Sequence, residues 1–217
     1  ELGILFKNAN AIEKMKKVQV IAFDKTGTLT CGGEDSARNL LRDGVKDTVK
    51  DLSTAYKTVM ISGDKQEIAE RIGKEAGIVR IYSEVKPEGK ADVIRELKKE
   101  GAVMMVGDGV NDAPAMAVSD ISVSIQNGTD LARDTADIII LGDDIAKLPL
   151  AFSLAGKIMR NIHENLLWAT LYNAVCIPLA ALGLINPSLA SAAMSFSSIA
   201  VLMNALRLKN MRGADHE

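Results

Sequence analysis

The sequence predicts an α/β fold, a doubly wound parallel sheet, followed by a two-helix transmembrane hairpin. Three observations carry this. Strand and helix patterns alternate from Val18 to Leu141, and turns bearing Asp or Gly recur where the strands end. Charge, 25% of the chain as a whole, then disappears between Asn165 and Leu206.

The elements follow in order. Asn8 to Lys17 places Ala11, Ile12 and Met15 at helical spacing with lysines opposite, which makes a short amphipathic helix. Val18 to Phe23 is a β-branched run that ends on Asp24 with Gly27 just beyond, the pattern of a buried strand with a carboxylate at its tip. Asp43 to Tyr56 is helical, Thr58 to Ile61 extended, Lys65 to Ala76 and Pro87 to Glu100 helical, and Ala102 to Val106 extended. Two further strands are expected at Ile121 to Ile125 and Asp137 to Leu141. In such a sheet functional groups gather beyond the carboxyl ends of the strands, where Asp24, Ser62-Gly63-Asp64 and Gly107-Asp108 all fall.

A helical segment near Asp144 leads into Leu166 to Ile185, 20 residues without a charge. At about 1.5 Å per residue that run is about 30 Å long, the thickness of a bilayer core. Asn186-Pro187-Ser188 reads as a turn, and Leu189 to Leu206 is a second uncharged run of 18 residues. Lys157 and Arg160 precede the first run, and Arg207, Lys209 and Arg212 follow the second, with no basic residue in the turn. The positive-inside rule therefore puts both chain ends and the α/β domain in the cytoplasm.

Composition excludes other classes. A net charge of −2 and 4% aromatic residues do not describe a nucleic-acid-binding surface. Cys31 and Cys176 lie in unlike settings and no C-x-x-C pair exists, so neither a structural disulfide nor a zinc site is expected, in keeping with a reducing compartment. The chain opens on Glu1 without a charged-then-apolar leader, which reads as a segment of something longer rather than a secreted precursor.

The chemistry begins at Asp24-Lys25-Thr26-Gly27-Thr28-Leu29-Thr30. A carboxylate at a strand tip can attack a phosphoryl group while the backbone amides and hydroxyls of the following turn hold its oxygens. No G-x-x-x-x-G-K-[ST] loop is present, and the turn at Gly107 lacks the third glycine of a dinucleotide fingerprint, with Asp112 in its place. The heptapeptide resembles the phosphorylation signature of P-type ATPases. Ser62-Gly63-Asp64 resembles the family's Thr-Gly-Asp, Lys86-Pro87 its lysine motif, and Gly107-Asp108-Gly109-Val110-Asn111-Asp112-Ala113-Pro114 its hinge and magnesium motif.

The resemblance implies a haloacid-dehalogenase-like phosphorylation domain in which Asp24 accepts the γ-phosphoryl of ATP. It implies Mg²⁺ held by Asp24, Asp108 and the carbonyl of Thr26. Lys86 would neutralise a phosphoryl oxygen, Ser62 and Asn111 would donate hydrogen bonds, and Asp112 would orient Lys86 or the metal waters. Lys25, Thr26, Gly63 and Asp64 are the implied contacts of ATP. Related phosphatases carry a second Asp two residues after the nucleophile, where it activates water. Here that position is Thr26, which argues for a persistent phosphoenzyme and against a membrane-anchored phosphatase, the alternative reading.

Tyr172, Asn173 and Cys176 share one helical face, as do Met194, Ser195 and Ser198. Tyr172-Asn173 and Met194-Ser195-Phe196-Ser197-Ser198 resemble the signatures of copper(I)-transporting members, which implies a copper path along Tyr172, Asn173, Met194 and Ser198. A thioether suits a soft cation. Cys176 reads as a packing residue, and His163 and His216 as solvated. The nucleotide-binding domain of the family, its earlier membrane helices and its actuator domain have no counterpart here. The expected map is a cytoplasmic phosphorylation domain at 1–146, with a short linker in place of the nucleotide domain at about 31–37. A juxtamembrane helix at 147–165, the hairpin at 166–206 and a cytoplasmic tail at 207–217 complete it. Implied partners are the remaining segments of the transporter, the lipid bilayer and a copper chaperone.

Overall fold

The computed structural model describes residues 2–31, 40–108, 111–126, 136–142, 144–184, 186, 188, 194–195, 199 and 201–206. The strands are β1 (Ile4–Phe6), β2 (Val18–Asp24), β3 (Lys57–Ile61), β4 (Arg80–Tyr82), β5 (Ala102–Gly107), β6 (Ile121–Gln126) and β7 (Ile138–Leu141). The helices are α1 (Ala9–Met15), α2 (Val45–Ser53), α3 (Gln66–Ala76), α4 (Pro87–Leu97), α5 (Ala113–Val118) and α6 (Lys147–Ala181).

Among the described residues the sheet has seven strands in the order β1-β7-β6-β5-β2-β3-β4. Every neighbouring pair is parallel except β1 on β7. The chain moves outward from β2 through β3 to β4, then returns to the other side of β2 and moves outward again through β5, β6 and β7. Strand order thus reverses between β2 and β5, and a crevice opens beyond the carboxyl ends of strands at such a reversal. Asp24 is the last residue of β2.

Alternating side chains divide the core between the two sheet faces. Ile21 and Phe23 of β2 pack with Met104 and Val106 of β5 on one face. Val20 and Ala22 pack with Val103 and Met105 on the other. All eight are buried, as expected of central parallel strands covered on both sides. The expected strands and helices lie where the sequence places them, with ends shifted by a few residues. For example, α2 begins only after Gly44, whose φ of 77° breaks the helix expected to start at Asp43. The three-residue edge strands β1 and β4 are too short to show a period of two, and neither they nor α5 are evident from the sequence pattern.

The chain divides into two compact units, 1–155 and 156–217. In the first, Leu148, Ala151 and Ala155 at the start of α6 are buried. In the second, Asn161 Nδ2 donates to the carbonyl of Asn204 at 2.8 Å, and Asn204 Nδ2 donates to Asn165 Oδ1 at 2.9 Å. The expected transmembrane hairpin is not shown: among the described residues no helix is long and apolar enough to cross a membrane. The helix α6 stops at Ala181, short of Ile185, and Glu164, Asn165, Asn173 and Pro178 dilute its apolar character. Much of the second apolar run lies outside the described residues.

Candidate phosphoryl-transfer site

Asp24 is 4% exposed at the tip of β2. The turn beyond it closes on the carbonyl of Lys25, which accepts the N–H groups of Leu29 at 3.0 Å and Thr30 at 2.9 Å and the hydroxyl of Thr30 at 3.1 Å. The turn passes through Gly27 at φ 76°, a conformation glycine adopts without penalty. The N–H of Lys25 donates to the carbonyl of Ile61 at 3.2 Å, tying the turn to β3. Lys25 Nζ lies 2.7 Å from Asp64 Oδ2, a charge contact rather than a directed hydrogen bond.

The segment after β3 supplies Ser62, which is buried and whose Oγ accepts the N–H of Asp64 at 3.1 Å. Residues 82–85 are stitched to it: Ser62 N–H donates to the Tyr82 carbonyl, Glu84 N–H to the Asp64 carbonyl, and Val85 N–H to the Ser62 carbonyl. This path delivers the chain to α4 beside the site.

Lys86 is not the lysine that reaches Asp24. It is the exposed N-cap residue of α4. The lysine at Asp24 is Lys90, one turn on and 7% exposed, which donates to Asp24 Oδ1 and, at 2.7 Å, to Asp112 Oδ1. The reason is helical geometry. Lys90, Ala91, Ile94 and Leu97 form the buried stripe of α4, so position 90 faces inward where position 86 has not yet entered the helix. The signal is legible in the sequence, since a lysine in register with Ile94 and Leu97 is a charge on an apolar stripe.

Beyond β5, Asp108 Oδ1 accepts the N–H of Asn111 at 3.3 Å and its Oδ2 accepts Asn111 Nδ2 at 3.3 Å. Asp112 is fully buried, and its Oδ2 accepts the N–H of Asp108 at 3.4 Å. A Cβ on Gly107 would collide with Asp112 Oδ2, so this carboxylate needs glycine there. Gly109 and Val110 lie outside the described residues.

Burial drives the electrostatics. It pushes the Asp24 carboxyl up to about 7, with help from the negative charge of Asp112 and against the pull of Lys90. Asp112 is raised for the same first reason. Burial works to lower Lys90, but the carboxylates of Asp24 and Asp112 outweigh it and hold the lysine above its ordinary value.

The donors near Asp24 fit Mg²⁺. Asp24 and Asp108 offer carboxylate oxygens and Thr26 a carbonyl, the hard ligands this ion selects while keeping several waters. A Cβ on Gly27 would lie 3.5 Å from Asp108 Oδ2, so Asp108 borders the turn that carries Thr26. Among the described residues no group of three or more His, Cys, Asp or Glu side chains is placed to hold a metal unaided. Of the expected copper path, Asn173 is exposed on α6 and Met194 is 65% exposed. Ser198 and the side chain of Tyr172 lie outside the described residues.

The carboxylate at the switch point, backed by a buried lysine and a second carboxylate, sits in an α/β domain whose residues 33–120 match the haloacid dehalogenase-like hydrolase family. The chain is 41% identical over 98% of its length to a copper-exporting P-type ATPase of Bacillus subtilis. It is 43% identical over 90% of its length to one of Staphylococcus haemolyticus. It spans about a quarter of each relative, 26% and 24%. A zinc-transporting PIB-type ATPase in its E2.Pi state shares the fold at a TM-score of 0.85 and 22% identity, covering 95% of this chain and 52% of that one. Along nearly its whole length the chain is homologous to part of the copper-exporting P-type ATPases.

Proposed function

We propose that this chain is the phosphorylation segment and a membrane-helix pair of an ATP-driven copper(I) exporter, with Asp24 as the phosphoryl acceptor. The observation that carries this is the buried set of Asp24, Lys90 and Asp112 at the switch point of the sheet. An Asp24 carboxylate oxygen attacks the γ-phosphorus of ATP. The bond to the β–γ bridging oxygen breaks, ADP leaves with that electron pair, and an aspartyl phosphate remains.

Lys90 screens the approach of one anion to another, and Asp112 keeps the lysine charged and aimed. Ser62 and the amides of the turn after Asp24 are the donors for the phosphoryl oxygens. Mg²⁺, held by Asp24, Asp108 and the Thr26 carbonyl, supplies further charge neutralisation when bound. ATP contacts fall to Lys25, Thr26, Gly63 and Asp64, with adenine and ribose left to a nucleotide domain.

In the second unit, exposed apolar side chains of α6 from Leu166, Leu167 and Trp168 to Ile177, with Leu182 and Leu184 just past its end, support a lipid-facing helix. Tyr172, Asn173, Met194 and Ser198 would then border the copper path, completed by ligands from other helices. In an exporter carrying this segment, Met194→Ala should weaken Cu(I)-stimulated phosphorylation, and equal stimulation of the parent by Zn²⁺ would remove the copper assignment.

The direct test is phosphate incorporation from acetyl phosphate with Mg²⁺. The parent should form a hydroxylamine-labile acyl phosphate and Asp24→Asn none. Retention of labelling in that variant would overturn Asp24 as the nucleophile.

A further inference from the structure

We infer that Arg42 is a positioning residue for the phosphoacceptor turn, holding the Gly27 to Thr30 backbone in the form that receives the phosphoryl group. This rests on Asp24 being the acceptor. From the inside the turn is gathered on the Lys25 carbonyl. From the other side, half-buried Arg42 sets a fork on it: Nη2 donates to the Gly27 carbonyl at 2.6 Å and Nε to the Thr30 carbonyl at 3.3 Å. Its own backbone N–H donates to the Leu29 carbonyl at 2.9 Å, and Thr30 pairs with Leu41. One residue therefore grips the turn at the carbonyls of Gly27, Leu29 and Thr30, and none of these three bonds involves Asp24.

The grip matters most at Gly27. With φ at 76° and no Cβ, this residue has access to both signs of φ, so nothing intrinsic fixes its peptide plane. The peptide is planar and trans, so its carbonyl and the following N–H point opposite ways. Anchoring the Gly27 carbonyl on Arg42 consequently fixes the direction of the Thr28 N–H. A planar guanidinium serves two carbonyls at once, where a lysine ammonium is a point donor on a flexible stem.

The test uses Arg42→Ala and Arg42→Lys in the full chain, with acyl-phosphate formation from acetyl phosphate and Mg²⁺ as one readout and amide hydrogen exchange at residues 27–30 as the other. In Arg42→Ala the maximal rate should fall about tenfold or more, while half-saturating acetyl phosphate changes by about twofold at most, because positioning is felt in the transition state. Exchange at 27–30 should rise while that of β5 stays at the parent level. Arg42→Lys should recover part of both effects. Parent-like rate and exchange in Arg42→Ala, with an active parent, would overturn the inference alone. A parent that forms no acyl phosphate would bring down the acceptor reading and this inference with it.

Discussion

Lys90 donates to Asp112 across 2.7 Å as well as to Asp24, and the Asp112 carboxylate is fully buried. A cation held this way cannot swing into solvent when a phosphoryl group arrives at Asp24. Lys90→Met keeps most of the stem and deletes the charge, leaving two buried carboxylates without their shared partner. Acyl-phosphate formation should drop by about 100-fold or more, the scale seen when one fixed electrostatic donor is lost. Lys86→Met, at an exposed N-cap, should stay within about twofold of the parent. Rates measured on both variants decide between the lysines, and the opposite ranking would return the role to Lys86.

The raised Asp24 carboxyl also makes a statement about stability. The folded state keeps a proton that the unfolded chain releases near 3.8 and the folded chain only near 7. The stability tied to that proton is therefore full below 3.8 and is lost as pH rises through 7. Asp24→Asn removes the titration while leaving Lys90 an oxygen to donate to. The variant should gain on the parent as pH rises from 4 to 8, by on the order of a few kcal/mol. Thermal unfolding across that range measures it, and parallel curves for the two proteins would refute it.

Gly107 tests how tightly the second carboxylate is seated. A Cβ there runs into Asp112 Oδ2, so Gly107→Ala should cost about 1–3 kcal/mol and displace the group that aims Lys90. Gly156, inside α6, is the control, because a Cβ added there would meet nothing within 4 Å. Gly156→Ala should stabilise by about 0.5–1 kcal/mol. Denaturant titration of both variants checks the pair, and equal effects would show that Gly107 is not under the constraint described.

The strands of the central sheet are legible in the sequence because their apolar runs stop at polar or glycine-bearing turns, as Val18 to Phe23 does at Asp24 and Ala102 to Val106 at Gly107-Asp108. The Asp24, Ser62, Asp108 and Asp112 positions are legible for the same reason, each lying where a strand or its turn ends. Adjacency in sequence, Lys86 beside Pro87, points to a lysine that stays at the exposed N-cap, because the helix period assigns the inward position to residue 90. The hold of Arg42 on the turn leaves no trace in the sequence, since those bonds go to backbone carbonyls and depend on how Leu40 to Arg42 returns alongside Leu29 to Cys31.

On the proposed mechanism, Thr26 sets how long the phosphoryl group stays on Asp24. It is exposed on the turn after the nucleophile, so its side chain can be exchanged without disturbing the core. A hydroxyl there cannot take a proton from water at neutral pH, whereas a carboxylate can, and general-base assistance typically contributes about 10²–10⁴ in rate. Thr26→Asp should therefore shorten the lifetime of the aspartyl phosphate by about tenfold or more once an imperfect approach of the new base is allowed for. Thr26→Asn, of the same shape without the base, should leave the lifetime within about twofold of the parent. Chase experiments on the labelled protein give both lifetimes. If Thr26→Asp and Thr26→Asn decay alike, the persistence of the phosphoenzyme does not come from the missing carboxylate.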